Sequence, residues 1–214
     1  VYDQMGADEL VFLDITATVE QRKTLVELVS QISKNISIPF TVGGGIRSVC
    51  DIRDLLNAGA DKISLGSIAI SDPKIVTEAS DEFGSQCIVI SLDCKRDGNS
   101  WKLFTKGGRE KTDLDAVEFA SLMEKVDAGE LLVNSLDRDG MKNGYDLELL
   151  TKISEVVNIP VIASSGAGCR EDFLKAFDGG RADGALAASL FHYGEINIRE
   201  LKRYLSDQKV TIRL

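Results

Sequence analysis

The sequence predicts a parallel α/β barrel built as two similar halves, and three observations predict it. Short, continuous apolar runs alternate with longer segments of helical spacing along the whole chain. A short Gly-Ala-Asp pattern recurs where a helix would give way to the next strand. Two offsets agree: Glu9 to Glu130 and Gly45 to Gly166 are each 121 residues.

The apolar runs lie at 10–13, 38–42, 62–65, 87–92, 131–134, 160–163 and 184–188. Runs without polar alternation suit strands covered on both faces, as in a parallel sheet with helices outside it. Between the first two runs, Leu25, Leu28, Val29 and Ile32 carry helical spacing. Val117, Phe119, Ala120 and Met123 do so after the fifth-strand segment, and Leu201, Tyr204 and Leu205 within 198–205. Gly6-Ala7-Asp8-Glu9-Leu10 recurs as Gly59-Ala60-Asp61-Lys62-Ile63. Looser copies are Asp127-Ala128-Gly129-Glu130-Leu131 and Arg181-Ala182-Asp183-Gly184-Ala185. Each copy places a glycine or turn residue where a helix ends. No low-complexity linker interrupts the alternation, so residues 1–214 read as one barrel domain. The strand ending at Asp93 is the fifth of the barrel, and 93 − 121 = −28 puts its counterpart ahead of Val1. The symmetry therefore predicts units two to eight of an eight-unit barrel, with the first βα unit missing. Gly107-Gly108, after the fifth strand, reads either as a flexible lid or as a hairpin turn.

Composition bounds the function. The chain has 214 residues, 43% hydrophobic, with 25 Lys and Arg against 34 Asp and Glu, a net charge of −9. Such an acidic balance opposes a nucleic-acid surface, which needs clustered cations. No apolar run approaches the roughly 18 residues of a membrane span, and the N-terminus lacks a signal-like core. Cys50, Cys87, Cys94 and Cys169 show no metal-ligand spacing and read as inert thiols of a reducing cytoplasm. The sole histidine, His192, lies beyond the last strand and reads as structural.

Active sites of such barrels sit at the C-terminal strand ends. That rim offers Asp14, Gly43-Gly44-Gly45, Gly66-Ser67, Asp93, Asp137-Arg138-Asp139-Gly140, Ser164-Ser165-Gly166 and Ala188-Ser189. Glycine-rich strand ends let backbone N–H groups approach an oxyanion. They fall in two symmetry-related groups, which predicts two phosphate sites on opposite sides of the mouth and a substrate phosphorylated at both ends. Without His or Cys partners, nucleophilic and metal chemistry have little support, leaving Asp14, Asp93, Asp137 and Asp139 as acid/base candidates. Turn formation and helix capping are the plain alternative for Asp137 and Asp139. Asp93 is the sharpest candidate because a carboxylate closing an apolar strand is expensive to bury without a use. Glu9, Asp61, Lys62 and Glu130 fall at the strand entrances, either as a solvated rim or as a charged ring that gates a passage or docks a partner.

These residues resemble the cyclase-subunit family of imidazole glycerol phosphate synthase. The resemblance rests on segments 6–17, 41–48 (Thr-Val-Gly-Gly-Gly-Ile-Arg-Ser) and 83–89. Further on it rests on 137–140 (Asp-Arg-Asp-Gly), 144–149, 185–189 and Phe191-His192-Tyr193-Gly194-Glu195. The resemblance implies a (βα)8 barrel that joins ammonia to a bisphosphorylated aminoimidazole carboxamide ribonucleotide, without a cofactor. It also implies a glutaminase partner at the barrel bottom, from which ammonia travels through the interior. Asp93 matches the family's strand-five acid/base aspartate, Asp139 a supporting aspartate and Asp14 another carboxylate of the mouth. The strand-one aspartate and the arginine of the ammonia gate belong to the missing segment. By the same resemblance Gly45 and Ser67, beside Gly66, hold one phosphate; Gly140, Gly166, Ala188 and Ser189 hold the other. Glu9, Lys62 and Glu130 match the gate, and Asp61 a glutaminase contact. Two departures stand out: Gly66 replaces a usual asparagine, and Ser165 replaces the first glycine of Ser-Gly-Gly. The alternatives are a paralogue delivering ammonia to a nucleotide-linked sugar, which Gly66 favours, and a non-catalytic fragment or assembly module with open strand edges. The pathway's sister isomerase shares the half-barrel layout, but 137–146 fits the cyclase better.

Overall fold

A computed structural model describes residues 2–14 and 26–214. Nine strands form one sheet: β1 (Leu10–Leu13), β2 (Phe40–Gly43), β3 (Lys62–Leu65), β4 (Ile88–Asp97), β5 (Ser100–Thr105), β6 (Glu110–Asp115), β7 (Glu130–Ser135), β8 (Val161–Ser164) and β9 (Gly184–Ala185). Seven run parallel in the order β1-β2-β3-β4-β7-β8-β9. The sheet curls on itself, since Val11 and Leu13 of β1 line the same cavity as Leu186 and Ala187 just after β9. Among the described residues no ladder joins β1 to β9.

The period of two sorts each strand between two environments. Ile63 and Leu65 of β3, Ile88, Ile90 and Leu92 of β4, and Leu131 and Val133 of β7 join the main apolar core. Their neighbours Ser64, Ser91, Asp93 and Asn134 face the central cavity instead. The core is closed by one face of each long helix. Ile52 and Leu55 come from α3 (Val49–Asn57), Val76 and Ala79 from α5 (Lys74–Phe83), and Phe119 and Met123 from α6 (Ala116–Lys125). Leu149 and Ile153 come from α7 (Leu147–Ser154), Phe173 and Ala176 from α8 (Arg170–Asp178), and Leu201 and Leu205 from α10 (Ile198–Asp207). Each of the larger of these side chains (Val, Leu, Ile, Phe and Met) contributes about 1.5–3 kcal/mol on burial, and the alanines less. Asp115, Asp146 and Asn197 start α6, α7 and α10 by accepting backbone N–H groups of the first turn. The remaining helices are α1 (Tyr2–Met5), α2 (Val26–Ser33), α4 (Ser67–Ser71) and α9 (Ser189–His192). Leu25 of the expected second-unit helix lies outside the described residues; Leu28, Val29 and Ile32 fall in α2.

The half-barrel repeat is physical. Leu10 N–H donates to Pro39 O and Leu131 N–H to Pro160 O, both at 2.9 Å. Phe40 N–H donates to Asp61 Oδ2 at 2.8 Å, and Val161 N–H to Asp183 Oδ2 at 2.9 Å. In both copies the aspartate N–H returns a bond to the same strand residue's carbonyl at 2.8 Å. The recurring Ala-Asp of the sequence is thus a two-bond staple between neighbouring strands.

Two expectations need correction and one open alternative is decided. The fifth barrel strand does not end at Asp93: β4 runs four residues further to Asp97, because its outer half pairs antiparallel with β5. Of the two readings of Gly107-Gly108 the hairpin turn holds: the pair sits in the turn of a β5–β6 hairpin arm. Trp101 anchors the arm: it is 1% exposed, donates to Asp146 Oδ2 at 3.0 Å, and carries the Arg96 guanidinium 4.3 Å above its ring. The run at 184–188 supplies only two strand residues, since Leu186–Ala188 turn outward to the rim that opens α9.

Candidate active site

A cavity of about 1090 Å³ opens at the C-terminal ends of the parallel strands. The ten mouth residues that the resemblance marks as catalytic or phosphate-binding line it: Asp14, Gly45, Gly66, Ser67, Asp93, Asp139, Gly140, Gly166, Ala188 and Ser189; of the other rim residues, Gly44, Ser164 and Ser165 do so and Gly43 and Arg138 do not. Nor does Asp137. It lines a second cavity of about 490 Å³ with Arg96, Tyr145 and Glu148. Its Oδ2 accepts the Arg96 N–H at 2.7 Å, so it holds the extended half of β4 and caps no helix.

The glycine-rich strand ends are built alike on both sides. Gly44 has φ +98°, and a Cβ there would meet the Asp14 carbonyl oxygen at 2.2 Å. Gly166 has φ +106°, and a Cβ would meet the Gly144 carbonyl oxygen at 2.4 Å. Neither position admits another residue without moving backbone. Ser165 stands where the repeat places Gly44, and it keeps the same left-handed conformation at φ +73°. It therefore carries the strain the first half avoids with glycine. Gly66 lies at φ −110°, and among the described residues a Cβ there would meet only Ser91 O, at 3.9 Å, so the missing side chain leaves space beside Ser67. The two short helices α4 and α9 both begin on a serine, Ser67 and Ser189, each preceded by a cavity-lining small residue.

Between these cradles sits Asp93. Its Oδ1 accepts from the Asn134 amide at 3.1 Å, and the same nitrogen donates to Ser91 Oγ at 3.1 Å. Burial in the cavity wall lifts the Asp93 carboxyl above the ordinary aspartate value; the Asn134 bond pulls it down and the Asp139 charge pushes it up, and the net direction is upward. A carboxyl displaced toward neutrality is suited to both giving and taking a proton. Deeper in the cavity wall, the Ser64 hydroxyl is 3% exposed and, among the described residues, has no hydrogen-bond partner. The arm reaches the rim: Lys106 N–H at its turn donates to Ser67 Oγ at 2.8 Å, and Thr105, Gly107 and Glu110 line the cavity.

At the opposite end of the strands, Lys62 Nζ bridges Glu9 at 2.9 Å and Glu130 at 2.8 Å. Burial works to lower this ammonium, but the bonds and charges of Glu130 and Glu9 outweigh it, so its pKa is raised. Asp61 stands apart from this triad as the staple to Phe40. His192 lies outside the cavity lining, with Nδ1 2.7 Å from the Tyr2 hydroxyl. Cys94 is buried, with its thiol pushed up mainly by burial, while Cys50 and Cys169 are exposed and free. Among the described residues no cluster of His, Cys, Asp or Glu has the makings of a metal site. No helix among them is long and apolar enough to cross a membrane.

Sequence reasoning missed Asn134, Ser64 and Lys106. The first two carried a readable signal, since each is a polar residue within an otherwise apolar run; Lys106 carried none, because only the hairpin fold brings it to Ser67.

The comparisons with known proteins agree with this geometry. The family model described as "Histidine biosynthesis protein" matches residues 1–197. The imidazole glycerol phosphate synthase subunit HisF of Dehalococcoides mccartyi is 53% identical over 213 residues, covering 100% of this chain and 84% of the relative. The same-named subunit of Prochlorococcus marinus is 54% identical over 215 residues, with 99% and 84% covered. That of Natranaerobius thermophilus is 51% identical over 213 residues, with 100% and 85% covered. With a parallel sheet curled round a glycine-rimmed, aspartate-bearing mouth, and with relatives of this likeness across its whole length, the chain belongs to the histidine biosynthesis protein family, among the HisF subunits of imidazole glycerol phosphate synthase.

Proposed function

We propose that this chain is the cyclase of imidazole glycerol phosphate synthase. It joins ammonia to a bisphosphorylated aminoimidazole carboxamide ribonucleotide and yields imidazole glycerol phosphate and the ribonucleotide that returns to purine synthesis. The observation that carries the reading is the placement of a half-buried, proton-competent Asp93 between two similar glycine cradles in one cavity. One phosphate lies against Gly45, Gly66 and Ser67, the other against Gly140, Gly166, Ala188 and Ser189, through backbone N–H groups and serine hydroxyls. That fixes the ribonucleotide across the mouth with its reacting centre over Asp93. Asp93 transfers protons, Asp139 raises its affinity for them, and Asp14 adds another carboxylate to the mouth. Ammonia enters at the Glu9–Lys62–Glu130 triad and moves along the strand interior past Ser64, toward Asp93. A glutaminase subunit docks on that lower face, against Asp61 among others, and both subunits work in the cytoplasm as a soluble pair. The chain forms one barrel domain over its 214 residues. The nucleotide-sugar alternative loses ground, because relatives at 51–54% identity carry the HisF name and Gly66 alone favours it.

The test is ammonia-dependent consumption of the bisphosphate ribonucleotide by a polypeptide of the relatives' full length carrying this sequence. Turnover is expected in the parent, with binding retained and turnover lost by at least about a hundredfold in Asp93→Asn, the scale of a removed general acid or base. A variant that turns over like the parent would remove Asp93 from the mechanism.

A further inference from the structure

We propose that Asn134 is a positioning residue for Asp93: its amide holds Oδ1 as a fixed acceptor and leaves Oδ2 as the one carboxyl oxygen that exchanges a proton with the bound ligand. The inference rests on the reading of Asp93 as the acid/base group, and it adds which oxygen acts and what fixes it.

The register of the parallel ladder sets Asp93 directly beside Asn134. Both face the cavity, because both occupy the strand positions that alternate away from the outer core. The Asn134 nitrogen has two hydrogens and both are used, one on Ser91 Oγ and one on Asp93 Oδ1, each at 3.1 Å. Turning the amide over would set its carbonyl oxygen against the carboxylate, a repulsion that the Ser91 hydroxyl, able to pair with either orientation, does not offset. The amide orientation is therefore fixed by the Asp93 carboxylate on the neighbouring strand. Among the described residues, Oδ2 of Asp93 receives no hydrogen bond.

An acceptor oxygen already engaged by an N–H is the poorer place for a proton, so the proton resides on Oδ2. The Asn134 bond survives in both charge states, to a carboxylate oxygen in one and to a carbonyl oxygen in the other. The carboxyl plane thus stays put through the proton cycle, which is what a near-attack geometry requires. The charged groups around the same cavity are Asp14 after β1, Arg47 after β2, Lys106 and Glu110 on the arm, and Asp139 and Lys142 after β7. Among the described residues, Asp139 is the charge that acts appreciably on Asp93 and Asn134 the polar side chain that stabilises its charged form.

The test titrates the carboxyl carbon of Asp93 by NMR in the 214-residue chain labelled with 13C-aspartate, the signal being assigned by its loss in Asp93→Asn. Asn134→Leu, which keeps the volume and removes the donor, is expected to raise the Asp93 midpoint by about one pH unit, the scale of one hydrogen bond to a charged group. Ser91→Ala removes the amide's other acceptor and is expected to leave the midpoint in place. A role in stability alone would lower the melting temperature of both variants without separating their midpoints. An unchanged midpoint in Asn134→Leu overturns the proposal; Asn134→Ala gives the same comparison should the leucine variant not fold. In the full-length enzyme, Asn134→Leu is expected to lower kcat about tenfold at nearly constant KM, and to move the pH–rate limb assigned to Asp93 upward. Absence of ammonia-dependent turnover in the parent would defeat the cyclase reading and leave the titration result standing.

Discussion

Asp93 and Ser165 show how single residues hold energy in reserve at this mouth. The Asp93 carboxyl has a higher pKa folded than unfolded, so the folded chain binds the extra proton between those two values. Stability therefore falls as pH rises from about 4, the free aspartate value, through the folded value. Asp93→Asn removes that dependence while its side-chain oxygen still accepts from Asn134. Unfolding curves of the variant and the parent are expected to diverge as pH rises from about 4 to 7, the variant being the more stable. Ser165 offers the second case, with φ +73° at a position its symmetry mate fills with glycine. Ser165→Gly relieves about 1 kcal/mol of strain, offset in part by the freer unfolded chain, and is expected to raise Tm by roughly 2 °C. Asp93 was legible in the sequence because a carboxylate inside an apolar run is costly. Its link to Asn134 was not, because 41 residues separate them and only the strand register sets them side by side.

At the scale of elements, legibility followed apolarity. The seven parallel strands announced themselves because both their faces are covered, which forces mainly apolar runs, broken only where a polar side chain such as Ser64 or Ser91 reaches the cavity. The β5–β6 arm has one face in solvent, and Lys102, Lys111, Thr112 and Asp113 interrupt any such run. Its one strong signal was Trp101, whose burial became meaningful only when Asp146 and Arg96 closed around it. Trp101→Phe keeps the ring and deletes the donor, leaving Asp146 one bond short. A loss of about 1–2 kcal/mol is expected in denaturant unfolding, together with faster amide exchange in β5 and β6 than in the parallel strands.

The whole molecule is organised by its internal repeat, and the staples give a direct check. Asp183→Ala and Asp61→Ala each strand one backbone N–H, of Val161 and Phe40, and each is expected to lower stability by about 1 kcal/mol. If Asp61 also meets the glutaminase, only its variant will weaken subunit association, measurable by calorimetry; equal association for both would confine Asp61 to the staple. The repeat has a further consequence. A mouth with two like cradles has no inherent polarity, and a ligand phosphorylated at both ends fits it in either sense. Direction has to come from what the halves do not share, and among the described residues the arm is one such element, reaching Ser67. Because a hydroxyl that accepts the Lys106 N–H still has its own proton to donate, the arm primes that cradle without occupying it. The hairpin thus acts as a compass needle on an otherwise ambidextrous vessel, and shortening it should scramble ligand orientation before it weakens ligand binding.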